Sequence, residues 1–173
     1  EIASCLVGSE MCIRDRKMAV YLTTKKIIKD WTDYNGHMNV AYYVLIFDQY
    51  GSEVLLTRFH MGEHSAKTTK KSTMVVESHI TYNQEVKEGE EVDVNLVYCN
   101  HDKKRILYKL EMIHKEKKYL AATLEALSLY VDLGQRKVAE FEDEKIKLMD
   151  NFISENKSSF KSDDLKFLSK LKK

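Results

Sequence analysis

Apolar positions recur along this chain with two different periods, and the change from one to the other predicts its elements. Ala19 to Ile28 is rich enough in β-branched and aromatic residues for a strand, and Asn35-Gly36 then marks a turn. After Asn39, a residue suited to cap a helix, apolar side chains fall at Val40, Tyr43, Val44 and Phe47, then at Gly51, Val54 and Leu55. That spacing predicts a helix with few polar interruptions, and so a mostly buried one. Gly51 in its interior costs about 1 kcal/mol against alanine, so another backbone is expected to approach closely there.

Past a linker around Gly62 to Lys71 the period becomes two. Val75, Glu77, His79 and Thr81 alternate with Val76, Ser78, Ile80 and Tyr82, and Glu91–Tyr98, Arg105–Ile113 and Tyr119–Val131 read as three further strands. Turn chemistry at Lys87-Glu88-Gly89, Asn100-His101-Asp102 and His114-Lys115-Glu116 joins them into an antiparallel meander. Beyond Gly134, Asp143–Ile153 and Asp163–Leu171 predict terminal helices, the second capped by Ser162. One strand, one buried helix and four long antiparallel strands make an α+β order, in which a sheet wraps a central helix. Other α+β folds share that order.

The 173 residues suit a single domain. With 28 Lys and Arg against 27 Asp and Glu, and no basic stripe, nucleic acid is not an expected partner. The longest apolar runs, such as Val40–Phe47, fall short of the roughly 20 residues a membrane span needs. Residues 1–17, EIASCLVGSEMCIRDRK, have no period and join abruptly to the rest. They are read as a non-native or disordered leader, leaving one domain at 18–173 with a helical tail from about residue 143. Cys5 and Cys12 lie in that leader. The remaining thiol, Cys99, argues for a reducing, cytoplasmic setting and against a disulfide scaffold or a cysteine metal site.

Asp33, Asn35, His37 and Asn39 stand directly before the apolar helix. Residues Asp33 to Val44, DYNGHMNVAYYV, resemble the signature of hot-dog thioesterases of the 4-hydroxybenzoyl-CoA thioesterase superfamily, most closely the carnitine dehydrogenase-associated and betainyl-CoA branch. The similarity continues through VVESHITYNQEVKEGEEV, HDKKRILYKLEMIH and LAATLEALSLYVDL, about Lys25 to Phe141. The resemblance implies a hot-dog fold and an acyl-CoA thioesterase that needs no metal or organic cofactor. It places Asp33 as general base or nucleophile, and aligns Asn35 and His37 with the Asp-x-Asn-x-His motif of related acyl-carrier-protein thioesterases. Backbone N–H groups at Asn39 and Val40 match the oxyanion-binding helix start.

Physical chemistry supports that placement. Thioester hydrolysis builds negative charge on the carbonyl oxygen, and a helix N-terminus offers unpaired N–H groups and a positive dipole end. Losing one such donor typically raises the barrier by about 3 kcal/mol. Caps and turn formers are the competing account of the same polar residues.

Glu77 and His79 share one strand face and are candidates for a second polar wall of the pocket, an ion pair or subunit contact being the alternative. Asp48 and Glu53, in the helix, are read as solvated edge or hydrogen-bonded residues. His60 and His64 lack the zinc-protease order, so no metal site is expected. Lys103, Lys104 and Arg105 are the basic residues available for CoA phosphates. Two other functions stay open: a non-catalytic acyl-CoA-binding protein, and an enoyl-CoA hydratase, whose Asp-x-Asn-Pro-x-His pattern this proline-free chain lacks. A single hot-dog sheet leaves an edge uncovered, so a homodimer or homotetramer is expected.

Overall fold

The structure, a computed structural model, describes residues 19–172; the leader at 1–17, with Cys5 and Cys12, lies outside them. The strands are β1 (Val20–Lys26), β2 (Lys71–Tyr82), β3 (Glu91–His101), β4 (Arg105–His114), β5 (Leu120–Asp132) and the short β6 (Lys137–Val138). They form one antiparallel sheet in the order β1-β3-β4-β5-β2, with β6 paired to β5. Only β3, β4 and β5 form the expected meander. β2 lies at the far edge against β5, with Ser78 opposite Ala126 and Thr81 opposite Thr123. The reason is the helix between β1 and β2: it crosses one sheet face and delivers the chain to the opposite edge.

The predicted turns carry the chemistry expected of them. Asp102 Oδ1 accepts the N–H groups of Lys104 and Arg105 at 2.7 and 2.8 Å, and the buried His114 ring accepts those of Glu116 and Lys117 at 3.2 and 3.0 Å. Gly89 supplies the positive φ, 83°, before β3.

The central helix runs without a break through α1 (Val40–Leu45), a π-helical stretch (Ile46–Ser52) and α2 (Glu53–Arg58). Its buried pairs are Ile46/Phe47, Gly51/Ser52 and Leu55/Leu56. The first step between pairs is five residues and the second four. The π turn absorbs the extra residue, with the Glu53 N–H donating to the Asp48 carbonyl, and so keeps both halves facing the sheet. At Gly51 the close neighbours are sheet side chains, not the backbone anticipated: a Cβ there would lie 2.9 Å from Leu110 Cδ1 and 3.1 Å from Val94 Cγ1.

The other sheet face is covered by the C-terminal segment. Tyr98, Leu107 and Leu127 form a second apolar cluster with Phe160, Leu165, Phe167 and Leu171. Glu125, 2% exposed, accepts the N–H groups of Lys166 and Phe167 at 2.8 Å each. α4 (Asp143–Asn156) is the terminal helix the pattern predicts, and its Phe152 meets Phe59 edge to face at 5.3 Å. The second predicted helix, at Asp163–Leu171, is instead an irregular strap with one short 3₁₀ turn at Leu168–Lys170. Its apolar residues reach the sheet and Glu125 binds its amides, which competes with helix formation. The stretch read as a linker contains α3 (Glu63–Thr69). No helix among the described residues is long and apolar enough to cross a membrane.

Candidate active site

Residues 32–38 form a closed loop. Thr32 and Met38 pair as an antiparallel bridge, the Asp33 N–H donates to the His37 carbonyl at 2.9 Å, and Gly36 turns the chain at φ 74°. Asp33 Oδ1 accepts the N–H groups of Asn35 at 2.8 Å and His37 at 3.3 Å. One carboxylate oxygen therefore holds the loop, which leaves Oδ2 for other work.

The His37 ring does not support Asp33. Its Nδ1 lies 3.1 Å from Glu85 Oε2, a partner that sequence reasoning missed because 48 residues of chain separate the two. The loop pairs through His37 with the backbone of Lys87, which brings Glu85 within reach. Asn35 and Tyr34 project from the surface of the protomer.

At the helix start, Asn39 Oδ1 accepts the Ala41 N–H at 3.0 Å, as its capping role requires. The Asn39 N–H is already committed to the Trp31 carbonyl at 2.9 Å. Of the two amides expected at an oxyanion site, only that of Val40 has no acceptor among the described residues. Beside it, Met38, Val40, Tyr43, Tyr82 and the segment 83–85 border an open groove of about 290 Å³. Tyr43 and Tyr82 meet there edge to face at 5.3 Å, and burial holds the Tyr43 phenol above its ordinary pKa.

Glu77 and His79 do not join this wall. Their cross-strand partners are Leu127 and Glu125, both under the C-terminal strap, so the pleat turns them to the face away from the central helix. Glu77 pairs there with Lys170. Asp48 and Glu53, by contrast, line a cavity of about 580 Å³ between the helix, α3 and β2. The available signal was two carboxylates five residues apart on an apolar helix, which a regular 3.6-residue period does not bring together.

His60 pairs with Glu144 at 2.9 Å, and among the described residues no group of three or more His, Cys, Asp or Glu is placed to hold a metal. Burial pushes the Cys99 thiol up to about 12, which makes it a core residue and not a nucleophile. Lys104 and Arg105 are paired to Glu140 and Asp102 at 3.4 and 2.8 Å.

The chain matches known proteins through this region. The thioesterase-like superfamily covers residues 28–152. A betainyl-CoA thioesterase of Pseudomonas aeruginosa is 30% identical over 129 residues, 73% of this chain and 80% of the relative. Among solved structures, a candidate thioesterase of Pseudomonas putida superposes with a TM-score of 0.73 at 26% identity, covering 86% of this chain and 94% of that one. A Staphylococcus aureus protein solved in complex with CoA superposes with a TM-score of 0.70 at 20% identity, covering 86% and 90%. A curled antiparallel sheet around one helix, the match over most of the chain and the likeness to these relatives lead to one conclusion: the chain belongs to the thioesterase-like superfamily and is a hot-dog thioesterase.

Proposed function

We propose that the protein hydrolyses a small or medium acyl-CoA to the carboxylic acid and free CoA. The observation that carries this reading is the unengaged Val40 N–H at the start of the central helix, directly after a loop that anchors one oxygen of Asp33. With the thioester carbonyl oxygen on that amide, negative charge developing there meets a fixed donor and the positive end of the helix. Asp33 Oδ2 acts as the base that takes a proton from water, or attacks the carbonyl carbon itself. The C–S bond then breaks, and CoA leaves as a thiolate that regains a proton; where Asp33 itself attacks, water then hydrolyses the acyl anhydride, which releases the acid and restores the carboxylate. Asn35 orients the water or the carbonyl, and His37 holds Glu85, which borders the groove.

Two relatives support a CoA thioester as the substrate: the betainyl-CoA thioesterase, and the protein solved with CoA. Assembly follows from the sheet. β2 is one of the two edge strands, and Met74, Val75 and Val76 on it are each about half exposed. Antiparallel pairing of two β2 edges covers them and makes a homodimer.

Release of free thiol from a panel of betainyl, short-chain and aromatic CoA thioesters tests the reading, with the Asp33→Asn variant alongside. Turnover that depends on Asp33 is the expected result. Binding of acyl-CoA without turnover of any member overturns it in favour of a non-catalytic acyl-CoA-binding protein.

A further inference from the structure

The direction of the Val40 N–H is set by the peptide that carries it. In a trans peptide the N–H and C=O point opposite ways, and no peptide among the described residues is cis. The Asn39 carbonyl accepts the Tyr42 N–H at 2.9 Å, which aims the Val40 N–H back out of the helix start. On its other side Asn39 donates its own N–H to the Trp31 carbonyl at 2.9 Å. Asn39 is thus held at both ends, by Tyr42 and by Trp31.

Those two residues also hold each other. The Trp31 and Tyr42 rings stack with centroids 5.8 Å apart and planes 20° from parallel, an arrangement aromatic pairs favour. Trp31 also meets Tyr50 at 6.3 Å, and the Lys25 ammonium, from β1, lies 3.6 Å from the centre of the Tyr50 ring. A line of contacts therefore runs from the sheet through Tyr50 and Trp31 to the first turn of the helix. The backbone at Trp31 depends on such support. Lys29–Trp31 is a single 3₁₀ turn without a side-chain cap, closed by the Trp31 N–H on the Ile28 carbonyl and the Thr32 N–H on the Lys29 carbonyl, each at 3.0 Å. A turn that short holds weakly by itself.

We infer, on the oxyanion reading above, that the Trp31 indole is a positioning group for the reaction: stacked on Tyr42, it keeps the Trp31 carbonyl on the Asn39 N–H and so fixes the aim of the Val40 donor. It acts through the backbone and not by contact with substrate.

Steady-state kinetics of Trp31→Leu and Trp31→Phe test this, alone and combined with Val40→Pro. Phenylalanine keeps a ring to stack on Tyr42, and leucine keeps apolar contact without one. Trp31→Leu is expected to lower kcat by roughly tenfold, a part of what loss of the donor costs, while Trp31→Phe keeps most of it. KM should stay within about twofold, since the aim of the donor matters most once charge develops. Tyr42→Leu, which removes the ring from the helix side, should match Trp31→Leu. In the Val40→Pro background Trp31→Leu should change kcat by less than about twofold, because the donor through which it acts is gone. Full additivity there overturns the inference, as does unchanged kcat in both leucine variants. Near-normal kcat in Val40→Pro alone removes the oxyanion role, and the positioning role with it.

Hydrogen exchange at the Asn39 amide separates the inference from the thioesterase reading. In Trp31→Leu and Tyr42→Leu this amide should exchange about tenfold faster or more, with the amides of β4 at wild-type rates and protection kept in Trp31→Phe. If the wild type hydrolyses no acyl-CoA, the thioesterase reading fails separately and exchange decides. Faster exchange at Asn39 alone upholds the hold of the rings on the helix start. Unchanged protection there, or faster exchange throughout β4 in both leucine variants, overturns it.

Discussion

Asn39 donates its backbone N–H to the Trp31 carbonyl at 2.9 Å, which leaves Val40, one residue on, as the donor at the helix start. The relationship sets up an unusually clean substitution. Proline at the first helical position removes the N–H without breaking a helical bond, and Asn39, at φ −66° and ψ 144°, already has the conformation that a residue before proline adopts. Val40→Pro should leave the thermal midpoint nearly unchanged and lower kcat about 10²- to 10³-fold. Near-normal kcat in the folded variant would remove Val40 from the oxyanion role.

Asp33 has a structural task and a proposed chemical one, and two substitutions separate them. Asparagine keeps an oxygen for the Asn35 and His37 amides but cannot serve as base or nucleophile. Asp33→Asn should therefore lose turnover at almost unchanged stability, whereas Asp33→Ala should lose both, with about 1 kcal/mol off the folding free energy in urea denaturation. Equal stability of the two variants would show that the loop does not depend on the side chain.

Gly51 lies where the helix presses on the sheet. A Cβ there would meet Leu110 and Val94, both fully buried and unable to swing into solvent. Gly51→Ala gains helix propensity but overpacks the contact, so a net destabilisation of about 1 kcal/mol is expected by chemical denaturation. A more stable variant would mean that the interface yields more readily than its packing implies.

Glu142 links the sheet to α4. Burial alone would raise its pKa, but bonds from Lys71 at 2.6 Å, from Tyr130 at 2.9 Å and from Lys145 outweigh that and hold it at about 2, against an ordinary 4.5. A depressed acid stabilises the fold above its unfolded value and loses that contribution as pH falls through the folded one. The stability gap between wild type and Glu142→Gln should be full at pH 7 and should shrink steadily from about pH 4.5 toward pH 2. A gap independent of pH would mean that the network contributes through packing.

At the β2 edge, Val76 is 48% exposed. If two copies pair there, Val76→Lys places like charges across the joint and should shift sedimentation from dimer toward monomer, with activity falling in parallel. A wild-type protein that sediments as a single monomeric species would sink the β2-edge dimer.

Much of this molecule is legible in local pattern. The alternation from β3 to β5, the turn residues between them, the Asn39 cap and the polar run before the helix follow from side-chain period and short-range hydrogen bonding, which the chain carries in neighbouring residues. Asp33 and its loop belong to that class, since the partners lie within four positions. What neighbours in sequence cannot carry was settled only on folding. The position of β2 at the far edge, the pairing of His37 with Glu85, the outward turn of Glu77 and His79, and the strap laid over Glu125 each join residues far apart in the chain. The π turn shows the same limit within one helix: the period of Ile46 to Leu56 is set by the sheet it must face, because burying both halves of the helix on one surface outweighs a regular hydrogen-bond ladder.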